Sequence, residues 1–329
     1  MAEKVPNNYS INDLISGIDN SNRLMLSKAI TLIESKRPSD QKAATALIDA
    51  VLGKKPQSLR LGITGVPGVG KSTFIETFGL YAIEQGCKVA VLTVDPSSAL
   101  SKGSILGDKT RMSKLSQSDQ AFIRPSPSGS MTGGVANKTR ETILLFEAAG
   151  YDVIIVETVG VGQSEVMVKD MVDFFLVLML AGGGDELQGI KRGIMEMADG
   201  IAINKADGDN VKKAMLAKKS FESALHYFPA HPSGWKVPTE TCSSLEGTGI
   251  NTIWKQVHEF VDMTKSNGWF DQNRQKQNTH WLEELIQAKI KEAFYARSGT
   301  KEKVDALKSS IQAGEISVRN ALNQMFPSS

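Results

Sequence analysis

Apolar residues recur along the chain with two different periods, and these divide it into three regions. From Ser10 to Leu52 they fall mostly three and four apart: Leu14 and Ile18, then Leu24, Leu26, Ile30 and Ile33, then Ala44, Leu47, Ile48 and Val51. That spacing predicts helices, with starts at Ser10, followed by Asp13, and at Ser39 after Pro38. From Leu59 the pattern changes to short continuous runs: Leu59–Thr64, Val89–Val94, Val153–Val156, Phe174–Leu180, Ile201–Ile203 and a weaker one leading to Thr241 and Cys242. Such runs read as strands covered on both faces and joined by long crossovers, a parallel βαβ sheet. The Ser/Gly/Pro-rich stretch Pro125–Gly134 reads as a loop within it. Beyond Asn251 the helical spacing returns. Ile253, Val257, Phe260 and Val261 form one stripe; Trp281, Leu282, Leu285, Ile286, Ile290, Ala293 and Phe294 form a longer one. Val304, Leu307, Ile311, Leu322 and Phe326 predict one or two further short helices. The expected organisation is a helical extension over 1–56, an α/β domain over 57–268 and a helical region over 269–329.

Gly65-Val66-Pro67-Gly68-Val69-Gly70-Lys71-Ser72 matches GxxxxGK[ST], directly after the first strand and before a helical stretch, Thr73–Gln85. Glycines let backbone N–H groups turn toward phosphate oxygens, and the helix N-terminus adds partial positive charge. Lys71 is expected to reach the β- and γ-phosphates as a catalytic group, Ser72 to ligate Mg²⁺, and Thr73 to complete the nucleotide contacts. The fold class predicted is a P-loop NTPase: an α/β, mostly parallel sheet covered by helices, with helical N- and C-terminal extensions.

A Mg²⁺–nucleotide site needs a carboxylate at a neighbouring strand end. Glu157 ends the Val153–Val156 run and begins Glu157-Thr158-Val159-Gly160, an ExxG where small GTPases usually carry DxxG. Glu157 is expected near the metal and Gly160 N–H near the γ-phosphate, both in catalytic roles. Asp95, ending Val89–Val94, and Asp108 beyond it are further metal candidates. Val161 stands where many GTPases place the glutamine that orients water, and Gln163 is the nearest substitute. This predicts slow intrinsic hydrolysis that a partner accelerates by ordering the loops.

Ile201–Ile203 leads into Asn204-Lys205-Ala206-Asp207, an NKxD sequence. Asp207 can accept from the N1–H and the exocyclic amine of guanine, which adenine does not offer; adenine would leave a carboxylate unpaired. The Lys205 stem can cover the base, and Asn204 can tie this loop to the phosphate loop. Cys242, Ser243 and Ser244, with Leu245, fit the loop whose backbone N–H meets guanine O6. The nucleotide predicted is GTP, with GDP as product.

Composition narrows the classes. The chain has 329 residues, 41% hydrophobic and 22% charged, which excludes disordered, collagen-like and coiled-coil readings. With 38 basic against 36 acidic side chains, nothing in bulk favours nucleic acid or an acidic membrane. Cys87 and Cys242 are far apart, with no CxxC spacing. MAEKVPNNYS lacks a signal peptide's apolar stretch. The longest apolar run, Phe174–Ala181, is far short of the roughly 20 residues a membrane helix needs. The expectation is a soluble, cytoplasmic protein without nucleic-acid or membrane partners.

The phosphate loop, Asp95-Pro96-Ser97-Ser98, Glu157-Thr158-Val159-Gly160 and NKAD together resemble the metallochaperone branch of P-loop GTPases. Within it, the helical ends and the segment Gly182–Gly193 resemble the MeaB/ArgK group, GTPase chaperones of adenosylcobalamin-dependent methylmalonyl-CoA mutase. The resemblance covers nearly the whole chain, most specifically Leu59 to Gly249. It implies a homodimer built largely through the C-terminal helices, and GTP hydrolysis that gates cobalamin delivery and protects the mutase. It also implies that Gly182–Gly193 signals nucleotide state, with Asp185, Gln188, Lys191 and Arg192 as candidate contacts. Three rivals stand beside it. A kinase or ATPase of a basic-amino-acid transport system would ordinarily use ATP, which NKAD opposes. A nickel-insertion GTPase would carry metal-storage sequences, whereas His226, His231, His258 and His280 are scattered; His226 and His231, flanking Tyr227–Pro229, read as a surface loop. A nucleotide-dependent clamp would use hydrolysis only to reset itself.

Overall fold

The computed structural model describes residues 9–52, 58–94, 112–125, 134–158, 164–182 and 192–326. They divide into two compact units, 1–278 and 279–329.

Three helices open the first unit: α1 (Ile11–Asp19), α2 (Arg23–Glu34) and α3 (Pro38–Val51). Ser10 caps α1 as expected, in a reciprocal pair in which Asp13 N–H donates to the Ser10 hydroxyl and Ser10 N–H to the Asp13 carboxylate. The start of α3 differs from expectation. Pro38 is its first residue and Arg37 its N-cap, because a proline's fixed φ and missing N–H suit the first helical position.

Among the described residues seven strands follow: β1 (Leu59–Gly65), β2 (Val89–Val94), β3 (Ala121–Pro125), β4 (Val153–Thr158), β5 (Phe174–Leu180), β6 (Gly200–Asn204) and β7 (Thr239–Thr241). All pair in parallel, in the order β3-β2-β4-β1-β5-β6-β7. The strand β3 has no counterpart in the sequence reading. It is short, pairs only with β2, and ends in Arg124 and Pro125; a proline is tolerated there because an edge strand leaves some N–H positions unused.

Between the strands lie α4 (Lys71–Glu84), α5 (Ser113–Gln117), α6 (Gly134–Ala148), α7 (Ser164–Lys169), α8 (Arg192–Met197), α9 (Val211–Leu225) and α10 (Ile250–Ser266). Successive strand residues feed opposite faces. Ile154, Val156, Phe175 and Val177 pack under α1–α3 and α6–α9, whereas Val153, Ile155, Phe174 and Leu176 pack under α4, α5 and α10. Burial on both faces explains the unbroken apolar runs. The order in which successive strands are laid down reverses at β1, flanked by β4 and β5, and open parallel sheets bind ligands outside the strand C-termini at such a point.

Helix α11 (Trp269–Tyr295) begins in the first unit and ends in the second, which also holds α12 (Thr300–Gln312) and α13 (Val318–Met325). In the second unit Phe294 stacks on Phe326, with ring centroids 5.2 Å apart. Leu282, Leu285, Ile286 and Ile290 are exposed, as are Val318, Leu322 and Phe326.

Candidate nucleotide site

Strand β1 runs straight into the phosphate loop. At its end Gly65 lies so near β5 that a Cβ would stand 2.5 Å from Leu178 O. Gly70, the last residue before α4, has φ +94°, and a Cβ there would meet Asn204 Nδ2 at 2.9 Å. Both positions therefore require glycine. Val69 is buried and anchors the loop from below, while Pro67 and Gly68 are exposed. Helix α4 starts at Lys71, two residues before the expected Thr73, so Lys71 and Ser72 occupy its first turn, where N–H groups lack intrahelical partners.

The Lys71 ammonium folds back on its own loop, donating to Gly65 O at 2.7 Å and to Val66 O at 3.4 Å. Burial pushes it below the ordinary lysine range, partly offset by the negative charges of Glu157 and Glu165. The Ser72 hydroxyl donates to Glu157 Oε1 at 3.4 Å. Glu157 is buried in β4, and next to it Thr158 Oγ1 donates to Thr64 Oγ1 at 2.7 Å, joining β4 to β1 beneath the loop. Adjoining hydroxyl and carboxylate oxygens at two element ends are the donor set Mg²⁺ prefers. Among the described residues no group of three or more His, Cys, Asp or Glu gathers to hold a metal. Asp95, Asp108, Gly160, Val161 and Gln163 lie outside the described residues, as do Asp185, Gln188 and Lys191.

The third loop follows β6. Asn204 Nδ2 donates to Val69 O at 2.9 Å, while its Oδ1 accepts from Ser244 N at 3.1 Å and Ser244 Oγ at 2.7 Å. Lys205 sits at φ +59°, a conformation that costs a non-glycine residue free energy and tends to persist at functional sites. Asp207 is held by the Ser243 hydroxyl at 2.5 Å, and Asn210 Nδ2 closes the turn onto Lys205 O at 2.7 Å. Cys242 faces inward. Its N–H donates to Ile203 O and its thiol to Asn204 Oδ1, and burial pushes that thiol up to about 12. The Ser243 N–H donates to Thr248 O.

The structure thus brings together Gly65–Thr73, Glu157, Asn204–Asp207 and Cys242–Ser244 at the C-terminal ends of β1, β4, β6 and β7. Two contributors escaped the sequence reading. Thr77 Oγ1 donates to Ser244 O at 2.7 Å, fastening α4 to the last loop. Glu165 is fully buried in the first turn of α7, and its charge reaches Lys71. Its sequence signal is an acidic residue opening a helix, which ordinarily marks an exposed partner of the helix dipole. His231 also departs from expectation: it is not a surface-loop residue but is packed inside, bonded to Asp199 at 2.9 Å and Ser233 at 2.6 Å.

The family model for methylmalonyl Co-A mutase-associated GTPase MeaB matches residues 26–299. This chain belongs to the MeaB family of P-loop GTPases. It is 48% identical to GTPase ArgK of Escherichia coli (strain K12) over 290 residues, 88% of each chain. It is 42% identical to the mitochondrial methylmalonic aciduria type A homolog of Mus musculus over 326 residues, covering 96% of this chain and 79% of that protein. Among solved structures it resembles the LAO/AO transport system kinase, with TM-score 0.78 and 39% identity over 98% of both chains. Nucleotide binding is the common property of this MeaB fold, and no described helix is long and apolar enough to cross a membrane.

Proposed function

We propose that this chain binds GTP with Mg²⁺, hydrolyses it to GDP and phosphate, and serves as a chaperone of adenosylcobalamin-dependent methylmalonyl-CoA mutase. In this role it gates cofactor loading and protects the mutase, acting in the cytoplasm as a homodimer joined through 269–329. The observation that carries the nucleotide reading is the Asn204 amide, which locks the NKxD loop, with Asp207 held by Ser243, onto the phosphate loop. The mutase reading is supported by the description of the matching family and the name of the mouse relative. The exposed apolar stripe Leu282, Leu285, Ile286 and Ile290 supports the dimer.

The residues divide the work. Asp207 accepts two hydrogen bonds from guanine. Lys71 leaves the Gly65 and Val66 carbonyls for the β- and γ-phosphates, whose charge offsets the desolvation its ammonium suffers in the loop. Ser72 and Glu157 hold Mg²⁺, which when bound neutralises charge building on the phosphate oxygens. Water attacks the γ-phosphorus, the bond to the β-phosphate oxygen breaks, and GDP leaves with the electron pair. With valine at 161, hydrolysis is slow until a partner orders the loops.

The solved relative, named a transport system kinase, suggests a kinase reading, in which ATP would be the donor. Asp207 opposes it, because adenine offers no donor pair. The test is nucleotide turnover by the purified chain with Mg²⁺, with EDTA and with ATP in place of GTP. Mg²⁺-dependent GTP turnover with inert ATP is expected; ATP turnover as fast as GTP turnover would overturn the assignment.

A further inference from the structure

The opening turns of α11 reach the base of the sheet. Arg274 donates from Nε to Asp173 Oδ1 at 2.7 Å and from Nη2 to Asp173 Oδ2 at 2.6 Å and Ser58 O at 2.8 Å. One turn on, the buried Gln277 donates from Nε2 to Val172 O at 2.8 Å and to Lys169 O at 3.5 Å. Its own carbonyl accepts from Arg140 Nη1 at 3.1 Å, which fixes α11 at this point.

Lys169 is the last residue of α7, where carbonyls lack intrahelical partners. Gln277 therefore caps α7 from another helix. A second attachment comes from Lys169 itself, whose ammonium donates to the fully buried Asp199 at 2.6 Å. The remaining face of α7 presses on β1. A Cβ at Gly62, three residues before Gly65, would stand 3.1 Å from Val168 Cγ1 of α7 and 2.9 Å from Val172 Cγ2 in the segment that follows the helix. At the other end of α7 is Glu165, buried and acting by its charge on Lys71.

Stability does not account for Gln277. Among the described residues its Oε1 is buried without a hydrogen-bond partner. An orphaned buried acceptor costs about as much as donated bonds of this kind return. An apolar side chain of the same shape would hold the fold as well.

We propose that Gln277 is a positioning residue for GTP hydrolysis: by bonding the last carbonyl of α7 at Lys169 and that of Val172 just beyond it, Gln277 sets where α7 holds Glu165 and presses on β1 beneath the phosphate loop. This rests on reading the chain as a GTPase. The test uses full-length Gln277→Met and Gln277→Leu, which fill the space with apolar atoms and remove the donors, in steady-state GTP turnover with GDP binding and thermal unfolding alongside. The expected result is a kcat lower by about tenfold in both, with KM for GTP and GDP affinity within about twofold of wild type. Unchanged kcat, or a loss confined to KM, overturns the proposal. Loss of GDP binding in both variants also overturns it, by making Gln277 a residue of the fold. Failure of the underlying reading is separable: the wild-type chain would then bind GTP without turning it over, and the proposal would fall with it.

Discussion

The side-chain amide of Asn204 donates to the main-chain oxygen of Val69 at 2.9 Å, across 135 positions of chain. Its oxygen accepts from both the N–H and the hydroxyl of Ser244. One buried amide thus joins the phosphate loop, the NKxD loop and the loop after β7, so that on the proposed reading base recognition and phosphate binding share one bonded element. Asn204→Ala leaves the Val69 carbonyl and two Ser244 donors unpaired, at about 1–3 kcal/mol for each buried group. Denaturant unfolding should show the stability loss, and calorimetric titration a GDP affinity at least about tenfold weaker. Wild-type GDP affinity in this variant would refute the shared-element account.

Asp207→Asn exchanges an acceptor for an amide that can donate to the xanthine carbonyl. GTP affinity should fall and xanthosine triphosphate should be admitted, a change of about two orders of magnitude or more in the ratio of the two. Competition binding with both nucleotides measures it. If xanthosine triphosphate gains nothing, the guanine contact lies elsewhere.

Asp199 predicts an acid-sensitive term in stability. Its complete burial pushes the carboxyl up, but the Lys169 ammonium and the hydrogen bonds from His231 and Lys169 more than reverse this, leaving it below the usual carboxylate range. A depressed carboxyl stabilises the fold fully above its unfolded pKa, about 3.9, and the contribution is lost as pH falls through the folded value. Asp199→Asn should cost about 3–5 kcal/mol at pH 7, because Lys169 loses its charge partner. The deficit should shrink in acid, below about pH 4. Urea midpoints for both proteins at neutral and acid pH give the comparison; a deficit independent of pH would contradict it.

Cys242 should be inert in the native protein. Burial raises its thiol to about 12, Glu240 adding to the effect, and only the thiolate reacts. Thiol titration near pH 8 should leave Cys242 unmodified until denaturant is added. The half-buried Cys87, also raised by burial, should react slowly without it. Rapid native modification of Cys242 would show that the loop after β7 opens.

Contiguity decides how much of this was legible in the sequence. Gly65–Ser72 and Asn204–Asp207 are unbroken stretches that follow apolar runs, so both element and chemistry could be read directly. The β2 and β5 runs appear with the expected limits because strands buried on two faces have no polar positions to blur them. Edge strand β3 has one pairing neighbour and tolerates Arg124 and Pro125, so its five residues carry little signal. Gln277 and Thr77 act through partners far away in sequence, and a lone glutamine or threonine in a helical stretch announces nothing. Glu165 went unread for the opposite reason, since its position fits an ordinary exposed helix start and draws no attention.

The most direct test of the account is GTP turnover by the purified protein, measured alone and with methylmalonyl-CoA mutase from the same cell, with ATP in parallel. The account predicts slow turnover of GTP, stimulation by the mutase, and no turnover of ATP. GTP turnover indifferent to the mutase would contradict the chaperone role, and turnover of ATP at a similar rate would contradict the guanine site itself.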